Sequence, residues 1–169
     1  MVKNLEKILV SACLLGQRVR YDGAGKATAH AEVARWRAEG RLVSYCPEVA
    51  GGLPVPRPPA EIEAGGTAAA VLDGSARIIT PAGADVTEVF LAGAHGAVRA
   101  ARRHGTRIAV LKEGSPSCGV HRVHDGTFSG TTIDGSGVTA HLLRAAGVAV
   151  FSESEIDAAA AHLAALASP

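Results

Sequence analysis

Cys13, Cys46 and Cys118 are the chain's only cysteines, and each stands at or just past the end of a separate short apolar run. Lys7–Ala12 leads into the first, Arg41–Tyr45 into the second, and Arg107–Leu111 with a Pro-containing turn into the third. If these runs are neighbouring parallel strands, all three thiols emerge at the carboxyl edge of one sheet, where open α/β folds build their sites. Three thiolates on one side of a pocket hold a metal or an iron–sulfur cluster and leave one position for a substrate. A free cysteine is also commonly a small buried hydrophobe, and the spacing follows no local zinc or ferredoxin pattern. Position argues more strongly than spacing. Cys46 precedes Pro47 and Cys118 precedes Gly119, so strand-to-loop transitions recur where a core thiol has no need of them. Zinc accepts the same thiolates, but a structural zinc site wants a closed fourth ligand, and no CxxC pair is present to nucleate it.

The elements that must position these thiols alternate in type. Lys7–Ser11, Arg41–Tyr45, Arg107–Leu111 and Val148–Phe151 read as short strands rich in Val, Ile and Leu. They lack clean polar alternation, which suits a sheet covered on both faces. Helical patterns lie around Ala29–Glu39, over Val86–His104 and Val138–Ala146, and from Ser152 and Glu155 to Ala167. Asp85 and Glu88 form an expected capping box, and arginines gather before Gly105 at the other end of that helix. The alternation predicts a single α/β domain over residues 1–169 with a central, mostly parallel, Rossmann-like sheet. Proline-dense Pro47–Gly66 is expected to be a structured loop without a helix. Ala69–Thr80 is expected to be a hairpin turning at Asp73-Gly74, and Val120–Gly135 a glycine-punctuated excursion.

Composition narrows the function classes. The 169 residues are 47% apolar and 20% charged with a net charge of +1, which describes an ordinary globular chain. No polybasic stretch points to nucleic acid or a membrane surface, and aromatics at 4% are too few for a base-stacking platform along a strand. The first apolar run is too short to span a membrane and lacks a signal-peptide pattern, so the expected location is cytoplasmic. Reduced thiols in odd number point there to ligands, a reactive thiol or core packing rather than to disulfides.

Several segments, taken together and in order, resemble the thiouracil desulfurase family. They are Ser11-Ala-Cys-Leu-Leu-Gly with Arg20-Tyr-Asp-Gly, the stretch from Cys46-Pro-Glu to Pro59-Ala-Glu, Asp85-Val-Thr, Lys112-Glu-Gly-Ser-Pro-Ser-Cys-Gly and Gly126-Thr-Phe-Ser-Gly. The resemblance runs from about Ile8 to Glu153. It implies a [4Fe-4S] cluster held by Cys13, Cys46 and Cys118, whose fourth iron takes sulfur from 2-thiouracil, with Glu48 and Ser115 as catalytic residues. The implied partner is a small thiolated base.

The chemistry of the residues agrees with that implication. A thione sulfur is soft and suits an exposed iron, and coordination makes the C=S carbon a better target for water. Glu48 lies two residues after Cys46, where it can activate water or shuttle a proton; the plainer alternative is a solvated loop carboxylate. Ser115 is placed to hydrogen-bond substrate or departing sulfur, or simply to cap backbone groups in its turn. Ser11 and Ser117 adjoin cysteines and can tune a cluster through hydrogen bonds. Arg57, Lys26 and Asp22 can line the pocket and anchor a base, with exposed charge as the default expectation; His121 and His124 offer spare ligands, but loop histidines are expected to face solvent or bond to backbone. The rival reading from another class is a non-catalytic iron–sulfur or zinc sensor module.

Overall fold

The computed structural model describes residues 4–167. In chain order the first elements are β1 (Ile8–Ser11), α1 (Ala31–Ala38), β2 (Leu42–Tyr45), α2 (Pro47–Ala50), β3 (Glu61–Ile62), α3 (Ala68–Asp73) and β4 (Ile78–Ile79). There follow α4 (Thr87–His104), β5 (Ile108–Leu111), β6 (Arg122–His124), β7 (Thr132–Asp134), α5 (Val138–Ala145), β8 (Ala149–Ser152) and α6 (Ile156–Ala167). The four strands expected from their apolar runs form one parallel sheet in the order β2-β1-β5-β8. The two central strands are wholly buried, which is why their sequences show no polar alternation.

Alternate residues of those strands feed two cores. Ile8, Val10, Ile108 and Val110 pack with Val33 and Trp36 of α1 and with Ile156, Ala159 and Leu163 of α6. Leu9, Ala109 and Leu111 face the other way onto Ala97, Val98 and Ala101 of α4 and Ala140 and Leu143 of α5. The result is a sheet between two helical layers, the α/β architecture expected from the alternation. A third cluster, including Ile62, Val71, Ile78 and Phe90, fixes the small β3–β4 pair against α3 and α4.

Three local expectations need correction. Ala69–Thr80 is not a hairpin: Thr67 Oγ1 caps α3 by accepting the Ala70 amide, and Gly74 ends it in the left-handed conformation at φ 86°. The Ala-rich run favours helix, and Asp73-Gly74 serves as its stop rather than as a strand turn. Pro47–Gly66 does hold a helix, the single turn α2, because Pro47 occupies the first helical position where a missing N–H is no loss. Asp85 and Glu88 do not form a capping box. Asp85 Oδ1 accepts the Thr87 amide at 2.9 Å, while Thr87 Oγ1 accepts the Ile78 amide at 2.9 Å and ties the start of α4 to β4. The other end of α4 is as expected, with Arg102, Arg103 and His104 before a left-handed Gly105. Among the described residues no helix is long and apolar enough to cross a membrane.

Candidate active site

Each cysteine is delivered by a different strand of the parallel sheet. β1 runs into a tight 3-10 turn, Ala12–Leu15, that carries Cys13 and is closed by left-handed Gly16. β2 ends at Tyr45, so Cys46 becomes the residue that opens α2. Beyond β5 the chain turns at Ser115, whose Oγ accepts the amides of Ser117 at 3.2 Å and Cys118 at 2.8 Å. All three thiols line one cavity of about 550 Å³, together with Glu48, Arg57 and Ser115. None is in a disulfide.

Burial pushes all three thiols above their ordinary pKa, most strongly Cys118. Their thiolate charges also disfavour one another: Cys46 raises Cys13, and both raise Cys118. Opposing this, the amides of Val49 and Glu48 point at the Cys46 sulfur, and the Ser11 hydroxyl bonds the Cys118 sulfur. Three mutually repelling, desolvated thiolates need a positive group between them, and that donor set suits soft metal chemistry. Among the described residues no three His, Cys, Asp or Glu side chains are grouped to hold a single ion. Three soft donors lining one cavity, with no fourth cysteine in the chain, fit a cluster that keeps one position for a substrate.

Helix α2 is seated by missing side chains. A Cβ on Gly93 of α4 would lie 1.9 Å from the Pro47 carbonyl oxygen, and one on Gly51 would lie 2.1 Å from the Val89 carbonyl oxygen. Tyr45 Oη donates to the Gly93 carbonyl at 3.4 Å beside this contact. Backbone therefore meets backbone, and the Cys46–Glu48 segment is fixed to the longest helix of the domain.

Glu48 faces the cavity and is held by Arg57, whose Nε lies 3.4 Å from its Oε1. Burial raises the Glu48 pKa above the usual carboxylate value, against the pull of Arg57 and Arg20. Arg57 overturns the expectation of an exposed charge: it is 8% exposed. Its guanidinium also donates to the carbonyls of Pro54 at 3.1 Å and Val19 at 2.9 Å, joining the loops that follow β1 and β2. Lys26 and Asp22 are exposed and stand outside the cavity lining.

With that geometry in hand, comparison with known proteins is decisive. A model of the 2-thiouracil desulfurase family matches residues 8–155. The chain belongs to this family. It is similar to the protein YbbK of Bacillus subtilis (strain 168), with 46% identity over 150 residues that cover 89% of this chain and 97% of that one. It is also similar to a solved structure described as the [4Fe-4S]-dependent thiouracil desulfidase TudS. Identity there is 46% and the TM-score 0.86, over 95% of this chain and 99% of that one.

Two features of this desulfurase were not legible beforehand. Glu113 lines the cavity and turns back, so that its Oε1 accepts the amides of Val120, His121 and Arg122 and closes the loop that carries Cys118. Lys112 pairs with Glu153 at 3.0 Å, and the same Glu153 carboxylate accepts the Glu113 amide at 2.8 Å. Their seat in the Lys112–Gly119 motif is the only signal the sequence offers. The two histidines part company. His121 is exposed and pairs with Glu155 at 2.6 Å, whereas His124 is half-buried on the cavity with its Nδ1 unpartnered.

Proposed function

We propose that the protein, acting as one domain over residues 1–169, removes sulfur from a thiolated pyrimidine, 2-thiouracil to uracil and sulfide. In this reading Cys13, Cys46 and Cys118 hold a [4Fe-4S] cluster. The observation that carries it is the meeting of three thiols from three adjacent strand ends with Glu48 and Ser115 on one cavity. The description of the similar solved structure as a [4Fe-4S]-dependent thiouracil desulfidase supports it. Reduced thiols of this kind suit a cytoplasmic setting.

When bound, the cluster supplies an iron without a protein ligand, a soft Lewis acid for the thione sulfur. Glu48 is the general base for water attacking the C=S carbon. Its desolvated carboxylate, with pKa raised, holds the proton it takes and returns it to the departing sulfur. Arg57 keeps that carboxylate in place from behind. Ser115 Oγ already accepts two amides, so its hydroxyl proton is free to donate to the substrate or to the leaving sulfur. Thione plus water gives carbonyl plus hydrogen sulfide, and no electrons are consumed.

The test is anaerobic reconstitution followed by assay of iron, acid-labile sulfide, and uracil release from 2-thiouracil. About four irons and four sulfides per chain are expected. Cys13→Ala, Cys46→Ala and Cys118→Ala should each lose most of the iron. A variant that keeps a full cluster shows that its cysteine is no ligand. A loaded wild-type protein that releases no uracil ends the reading.

A further inference from the structure

The chain has three Phe, two Tyr and one Trp, and four of these six rings pack into the cores. Trp36 and Phe151 join the first, Tyr45 the second and Phe90 the third. Tyr21 and Phe128 join none of them, and both line the site cavity. Tyr21 is 41% exposed, whereas Phe128 is half-buried and more firmly held.

Among the described residues Phe128 is also the one non-glycine with positive φ, at 56°. A bulky side chain resists that conformation and keeps it only where its surroundings over-determine it. Here they do. Glu61, 6% exposed, uses a single carboxylate oxygen to accept the amides of Gly126 at 2.9 Å and Phe128 at 3.1 Å. Gly126 is pressed so closely onto the chain after β3 that a Cβ there would lie 2.5 Å from the Ala64 nitrogen. A buried carboxylate thus fixes a strained loop whose aromatic residue serves no core.

The geometry points to Phe128 as a specificity-determining residue: its ring is the wall on which the flat pyrimidine lies, and Glu61 is the positioning residue that holds the wall in place. This rests on the reading of the substrate as a thiolated pyrimidine. A phenyl face attracts any planar base whatever its hydrogen-bonding edge. It touches the ring rather than the reacting C=S group, so it binds ground state and transition state alike and acts on KM rather than on kcat.

Uracil carries the ring without the sulfur, so its binding reads the wall apart from the chemistry. The experiment measures uracil affinity by calorimetry on anaerobically reconstituted protein, and 2-thiouracil kinetics on the same samples. Phe128→Gly removes the ring while relieving the backbone, so the fold is retained; Phe128→Tyr keeps the ring. Phe128→Gly should weaken uracil binding and raise KM by about five- to a hundredfold, the range for losing one base stack, with kcat little changed. Phe128→Tyr should stay close to wild type. Glu61→Ala should reproduce the rise in KM, and Glu61→Gln, whose amide oxygen accepts the same two N–H groups, should rescue it.

Equal uracil affinity in wild type and Phe128→Gly, or no uracil binding by the wild type, overturns the proposal. Unchanged KM in Glu61→Ala overturns the positioning role. A protein that binds uracil through Phe128 yet releases no sulfide from 2-thiouracil upholds the wall and overturns the functional reading. A protein that releases sulfide, with uracil affinity and KM indifferent to Phe128, does the reverse.

Discussion

Replacing Gly93 by Ala sets two effects of opposite sign against each other. Inside an exposed helix the change would stabilise by about 1 kcal/mol, because Gly is the poorer helix former. Gly93 is buried, however, and its new Cβ would stand 1.9 Å from the Pro47 carbonyl oxygen, where real Cβ contacts are essentially never under 3.0 Å. The obstacle is backbone, so no side chain can swing aside, and α2 must back away from α4 by about 1 Å or more in a close-packed interior. Overpacking of this kind costs about 1–3 kcal/mol and outweighs the gain in propensity. The larger consequence is positional, since Cys46 opens α2 and Glu48 lies in its first turn. A misplacement of about 1 Å is enough to cost roughly a hundredfold in rate. Thermal unfolding, iron content and thiouracil turnover on the same preparations test this. Gly93→Ala should melt lower than wild type and turn over far more slowly. A variant that melts higher, with undiminished activity, would refute the close contact between α2 and α4 and the positioning argument built on it.

Other outcomes follow from the same site. Glu48→Gln should keep iron content near normal yet lower turnover by on the order of a hundredfold or more, as for loss of a general acid or base. In the unloaded protein the raised Glu48 pKa makes its contribution to stability greatest at low pH, and that contribution is lost as pH rises through the folded-state value. Melting curves should therefore show Glu48→Gln gaining on wild type as pH increases, and a constant difference would contradict the burial of the charge. Arg57→Met leaves Glu48 without its partner, so about 3 kcal/mol of stability and roughly 10 °C in Tm should go. Ser115→Ala should be milder in turnover, about 1–3 kcal/mol, with some loss of cluster as the Cys118 turn loses its acceptor.

The central sheet was readable in the sequence because each of its strands is a short, mostly apolar run, and in the two central strands burial on both faces leaves no room for polar alternation. The cysteines were readable for a related reason: parallel strands share one carboxyl edge, so thiols placed just past their ends share a neighbourhood. What escaped was set by contacts distant in sequence. α2 is one turn in a proline-dense stretch, stabilised by docking on Gly93 rather than by any periodicity of its own. α3 carries an Asp-Gly pair that serves a helix end and a hairpin equally well, and only the capping of Thr67 decides between them. Arg57 looked like any loop arginine. Its burial depends on carbonyls at Val19 and Pro54 that face it only after the loops have closed. Glu61 and Glu113 share that limitation, since a carboxylate that gathers backbone amides leaves no mark on composition.

The strand order has a bearing on when the site comes into being. Cys13 stands beyond β1, and the flanking strands that lead to Cys46 and Cys118 are separated from it by intervening helices. No two of the thiols form a local chelating pair, so an unfolded chain offers three solitary, weakly competing donors. A metal group gripped by all three discriminates between the folded and the unfolded chain, and its binding free energy is added to that of folding. If Cys13, Cys46 and Cys118 hold the group, as proposed, loading follows formation of the Ser115–Cys118 turn beyond β5 instead of templating the fold, and release of metal on heating reports the parting of β2, β1 and β5.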